Sequence, residues 1–88
     1  MKNLFTIWTM EGCATCDNVA TDLRKYGGIE FKDLAELKRN PPKTTNGDCI
    51  EIQVLSQLSY QNEKAPVVVM NGCVLTEGEV DKVRKVAV

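Results

Sequence analysis

Histidine is missing from this chain of 88 residues. That removes both the most frequent metal ligand and the most frequent general base. Surplus charge is missing too: 11 lysines and arginines stand against 12 aspartates and glutamates, a net charge of −1. The two signs are mixed along the chain with no basic run. Nothing therefore draws the protein to nucleic acid or to an anionic membrane surface. No apolar stretch comes near the roughly 20 residues that a membrane span needs. Met1 leads straight into the first apolar run without a signal-peptide pattern, so the expected location is the cytoplasm. The hydrophobic fraction of 43% argues against disorder. The length fits a single domain, residues 1–88, that buries only roughly 60–65% of the surface its unfolded chain exposes.

What the chain does have is cysteine, four in all. In a reducing compartment such a number points to metal binding or redox chemistry rather than to structural bridges. Cys13 and Cys16 form a Cys-x-x-Cys pair inside Met-Glu-Gly-Cys-Ala-Thr-Cys-Asp-Asn. A strand-like run (residues 4–8) precedes the pair and a helix-like run (residues 17–26) follows it. The first cysteine then stands at the start of a helix. Backbone N–H groups there lack intrahelical partners, and the helix dipole favours a negative sulfur. The second cysteine lies one turn on, within reach for a disulfide. Glu11 and Asp17 flank the pair and oppose a thiolate if they lie close.

Residues 3–9 read as a central strand, because Leu4, Phe5, Ile7 and Trp8 crowd both faces. A helix is expected over 14–26. Cys16, Val19, Ala20 and Leu23 fall on its apolar stripe, so Cys16 should be buried and Cys13 the exposed partner. Gly27-Gly28 is expected to end this helix. Residues 29–34 alternate like a strand, and their charges suit a sheet edge. A polar link is expected over 35–47, broken by Pro41-Pro42, with a helical turn over 35–39 left open. Asp48, with Glu51, is placed to cap a helix whose face carries Ile50, Val54, Leu55 and Leu58. Val67 to Met70 is a strand, Asn71-Gly72 a tight hairpin turn, and Cys73 to Leu75 the returning strand. Thr76 and Glu79 form a capping box that opens a last helix with Val80 and Val83 on its apolar face. The order β-α-β-α-β-β-α fits one four-stranded mixed sheet with helices on its faces.

This element order, the Cys13-Ala14-Thr15-Cys16 motif after the first strand, and Ala65-Pro66 before the third strand resemble a glutaredoxin or a small glutaredoxin-like thioredoxin. The resemblance covers almost the whole chain and implies a thioredoxin-like α/β fold. It implies that Cys13 attacks a protein disulfide or a glutathione-mixed disulfide and that Cys16 resolves the intermediate. It implies a cis Pro66 beside the sulfurs and an Ala65 whose backbone pairs with a bound peptide or glutathione. No bound cofactor is expected. Glutathione serves as co-substrate, or a thioredoxin-reductase-type donor replaces it. Proteins of this size often reduce ribonucleotide reductase, many bacteriophages carry one, and a monomer is expected. Three departures bear on the reductant. Ala14-Thr15 stands where Pro-Tyr is typical, Glu11 where a basic residue is usual, and Thr76-Glu77 about where a Gly-Gly pair receives part of glutathione.

Rival readings stay open on the residues alone. Zinc takes four ligands in closely spaced pairs, and Cys49 and Cys73 are single and far apart in sequence. A bridged Fe–S dimer and a non-catalytic module of the same fold are the other two. Cys49 and Cys73 are expected to be structural, behaving as small hydrophobes. Trp8 and Tyr26 are expected to pack in or beside the core. Met10, next to the motif, offers an apolar contact for a substrate. Thr15 reads as an ordinary exposed helix residue. Lys43 and Lys64 are candidate partners for a carboxylate.

Overall fold

The computed structural model describes residues 3–43 and 49–87. Phe5 and Ile7 point to one side of the first strand, β1 (Asn3–Thr9), and Trp8 points to the other, as period-2 alternation dictates. Both sides are covered. Phe5 and Ile7 meet Val19, Ala20 and Leu23 of helix α1 (Ala14–Leu23) and Val80 of helix α4 (Glu77–Ala87). Trp8 meets Leu34 and Leu37 of helix α2 (Leu34–Arg39), together with Val54 and Leu58 of helix α3 (Ile50–Tyr60). The sheet also holds β2 (Gly27–Asp33), β3 (Val67–Met70) and β4 (Cys73–Val74), in the order β2-β1-β3-β4. β2 runs parallel to β1, β3 antiparallel to β1, and β4 antiparallel to β3. The result is a four-stranded mixed sheet between two helical layers, with the charged β2 at an edge.

Two short-range signals act as their chemistry requires. Asn71 and Gly72 both take positive φ (50° and 84°), as a two-residue hairpin turn of this type demands. Asn71 also ties the hairpin to β1. Its N–H donates to the Leu4 carbonyl at 2.9 Å, and its Oδ1 accepts from the Leu4 N–H at 2.8 Å. At the start of α4, the Thr76 N–H donates to Glu79 Oε1 (3.0 Å), and the Glu79 N–H donates to Thr76 Oγ1 (3.3 Å).

This reciprocal cap gives a pH prediction. The Thr76 N–H, then its hydroxyl, hold the Glu79 carboxyl below its ordinary pKa. A carboxyl depressed in the folded state adds stability above its unfolded pKa and loses it as pH falls through the lower folded value. Thermal melts taken from about pH 7 down to about pH 3 should therefore lose part of their acid dependence in Glu79→Gln. An unchanged pH slope in that variant would mean that the cap does not form.

Several boundaries depart from the sequence reading. α1 stops at Leu23, and Gly27 and Gly28 belong to β2 instead of ending the helix. The cause is close approach: Gly27 pairs with Asn3, and a Cβ at Gly27 would run into the Asn3 carbonyl. The polar link begins with a helix, α2, because the Asp33 carboxylate accepts from the Ala35 N–H at 2.9 Å and the buried Leu34 and Leu37 anchor it one turn apart. The cap expected at Asp48 lies outside the described residues; Cys49 occupies the N-cap position of α3 and makes no side-chain cap bond. Tyr26 is 40% exposed and only leans its ring on Phe5, 6.1 Å away. Cys73 is exposed rather than packed, since it flanks the hairpin turn. Among the described residues, no helix is long and apolar enough to cross a membrane.

Candidate active site

β1 ends at Thr9, and the chain must turn at once to start α1. The Cys13 N–H closes that turn on the Met10 carbonyl at 3.3 Å. Gly12 takes φ +76° there, with open space around the position of a Cβ. Glycine is needed for the backbone angle and not for room.

Cys13 then occupies the N-cap of α1 in an extended conformation (φ −87°, ψ 97°). Its sulfur accepts the Cys16 N–H at 3.2 Å, in the place that a serine or aspartate oxygen usually takes. One of the unpaired donors of the helix start is thus aimed at sulfur. Cys16 lies on the apolar stripe with Val19, Ala20 and Leu23 and is 1% exposed, whereas Cys13 is half-buried. The two are joined as a disulfide with a Cα–Cα separation of 5.3 Å.

From the other side of the sheet centre, the segment before β3 reaches the same sulfur. The Ala65–Pro66 peptide is cis, and the Ala65 carbonyl oxygen lies 3.9 Å from Cys13 Sγ. In the disulfide this is a contact only; a reduced Cys13 thiol has a proton to donate to that oxygen. Cys13, Cys16, Ala65 and Pro66 are therefore gathered in one place. Met10 is half-buried against the second core cluster and lines a groove towards β2, with Thr9, Phe31 and Ala35. Cys49 and Cys73 stay apart from this site as free thiols.

A groove of about 220 Å³ opens beside the pair, lined by Thr15, Lys64, Ala65, Pro66, Glu77 and Arg84 among others. Its charge is mixed. The Arg84 Nε–H donates to Asp22 Oδ2 at 2.7 Å, and Lys64, Glu77 and Asp81 all line the same space. Lys64 is thus a groove residue, whereas Lys43 is exposed in the link after α2. A second groove of about 420 Å³ lies away from the cysteines, between Trp8, Phe31, Glu36 and Glu51.

Among the described residues, no group of three or more histidine, cysteine, aspartate or glutamate side chains converges to hold a metal ion. The four-cysteine zinc site weighed from the sequence has no such gathering behind it. Sequence reasoning missed Gln61, the single buried polar side chain among the described residues, which bonds the backbone on both sides of Ala65. Its one sequence trace is a glutamine following the last apolar positions of a helix, which is too common to single out. No protein-family model matches the chain, and no curated protein and no solved structure matches it.

Proposed function

We propose that this chain is a dithiol–disulfide oxidoreductase with a thioredoxin-like fold of the glutaredoxin type, acting in the cytoplasm as a monomer. The observation that carries the reading is a half-buried sulfur at the N-cap of α1, bonded to the amide of the buried cysteine with which it forms a disulfide. The strand order, with α1 and α4 on one face and α3 on the other, supports the fold assignment. So does the cis Ala65–Pro66 peptide beside the sulfur.

In the reduced protein, the Cys13 thiolate attacks one sulfur of a substrate disulfide. The helix N-terminus stabilises that thiolate, and the half-exposed position gives access. The substrate's second sulfur leaves as a thiolate and takes up a proton, and Cys13 is held in a mixed disulfide. The Cys16 thiol then loses its proton, attacks Cys13 Sγ and expels the remaining substrate sulfur. Two electrons have passed from the dithiol to the substrate, and the closed Cys13–Cys16 pair is the product. A thiol reductant, glutathione or a thioredoxin-reductase-type donor, must reopen it. The basic residue usual before the first cysteine is replaced by Glu11, and Glu77 lines the groove. Both disfavour the two carboxylates of glutathione. Ribonucleotide reductase is a candidate protein substrate.

The test is turnover of insulin and of a glutathione-mixed disulfide. Each is driven once by glutathione with its reductase and once by thioredoxin reductase, with metal analysis of the reduced protein alongside. Disulfide reduction coupled to either donor supports the reading. A reduced protein that opens neither substrate, or that carries a stoichiometric metal at its cysteines, overturns it.

A further inference from the structure

The geometry points to Gln61 as a positioning residue that fixes the Ala65 carbonyl at Cys13, so that the groove-forming backbone meets a substrate in one fixed place. This rests on the proposed disulfide exchange at Cys13. Gln61 closes α3 and is 4% exposed. Its Nε2 donates to the Lys64 carbonyl at 2.8 Å and to the Pro66 carbonyl at 3.0 Å. Both protons of the amide are therefore used, one on each side of Ala65. Its Oε1 accepts from Gln57 Nε2 at 2.9 Å, so the amide is oriented from α3 as well. With the carbonyls before and after it held by Gln61, the Ala65 carbonyl is the one left to face the sulfur, at 3.9 Å.

The backbone leading into this clamp is itself under constraint. Asn62 and Glu63 take φ of 55° and 60°, the left-handed region that non-glycine residues seldom enter. The turn is closed by Glu63 N–H to the Leu58 carbonyl (2.9 Å) and Lys64 N–H to the Gln61 carbonyl (3.2 Å). Strained turns of this kind persist only where the surroundings over-determine them. Here they deliver residues 64–66 to the sulfurs. A buried amide with both protons on that segment and its oxygen on the helix is the device that fixes the outcome. Gln61 also lines the groove, but its hydrogen bonds go to Gln57 and to the backbone around Ala65 and to neither cysteine, so its effect on the sulfur runs through Ala65.

The test compares Gln61→Met, which keeps the side chain's length but has no amide, with Gln57→Leu, which leaves both Nε2 bonds in place. With Gln61→Met, kcat/KM for insulin should fall about tenfold or more, while the second-order reaction of the Cys13–Cys16 disulfide with dithiothreitol, which needs no groove, changes by less than about threefold. Gln57→Leu, which removes only the bond to Gln61 Oε1, should lower kcat/KM for insulin in the same direction but by less than Gln61→Met, and a larger fall than in Gln61→Met overturns the proposal. A merely structural glutamine would slow both reactions alike, or neither, and either result overturns the proposal. If Gln61→Met does not fold, hydrogen exchange of the Gln61 side-chain amide in the wild-type protein decides: protection supports the clamp, and solvent-like exchange overturns it. A wild-type protein that reacts with dithiothreitol but with neither insulin nor a glutathione-mixed disulfide would instead defeat the parent reading, and is told apart by that control.

Discussion

Cys13→Ser should abolish disulfide reduction, whereas Cys16→Ser should retain the first attack and stop at a covalent adduct. The loss in Cys13→Ser is expected to be on the order of a thousandfold or more, about 4 kcal/mol in the barrier, because a serine hydroxyl does not ionise near neutral pH as a thiol does. The asymmetry between the variants follows from burial. Cys16 is sealed under the first turn of α1 on the apolar stripe, while Cys13 stands at its mouth. A substrate sulfur can therefore approach Cys13 and not Cys16. Mass spectrometry of Cys16→Ser mixed with a peptide disulfide should show the peptide attached at Cys13. The experiment belongs in a Cys73→Ser background, because Cys73 is also exposed and would take up label. An adduct at Cys16 in Cys13→Ser, at a rate comparable to wild type, would invert the proposed roles.

Phe5→Ala should bring the domain close to unfolding. Phe5 has no exposed surface and joins β1 to α1 and α4 through the first core cluster. Truncating a buried phenylalanine to alanine costs about 3–5 kcal/mol. A chain of this length has a total stability of roughly 4–13 kcal/mol, so the loss is a large share of it. Leu4, its neighbour in sequence, is 54% exposed, and Leu4→Ala should cost less than about 0.5 kcal/mol. Urea unfolding of the two variants, at unchanged m-value, checks the contrast. Similar midpoints for both would mean that β1 does not present the faces described.

How far these features were legible in the sequence depended on the range of the interactions behind them. The α1 stripe, the Asn71-Gly72 turn and the Thr76–Glu79 cap are each made by residues within a few positions of one another, and each could be read from spacing. The edge place of β2 was legible from Glu30 and Lys32. Gly27-Gly28 was misread because glycine after a helix usually serves as its cap, whereas here Gly27 is required by Asn3, a strand away. Helix α2 was read as no more than an optional helical turn over 35–39, although Asp33 and Glu36 stand at capping-box spacing, because Pro41-Pro42 dominated the reading of that link. Cys73 was taken for a packed residue since its strand neighbours are apolar; only the hairpin geometry shows which way it faces. At the candidate site, the two cysteines were singled out by their motif, and Ala65 and Pro66 by the family resemblance. Gln61 was not, because its partners are two backbone carbonyls, which carry no side-chain signature.

The outward place of Cys73 also fixes what that third sulfur can become. It pairs with Met70, level with Phe5, while Cys13 lies beyond the opposite end of β1 at Thr9. Four residues of strand, about 13 Å, separate the two levels, and a disulfide spans at most about 7 Å between Cα atoms. Cys73 therefore cannot scramble with the reactive pair inside one molecule. Two copies joined through Cys73 in air would therefore keep both Cys13–Cys16 pairs free of the link.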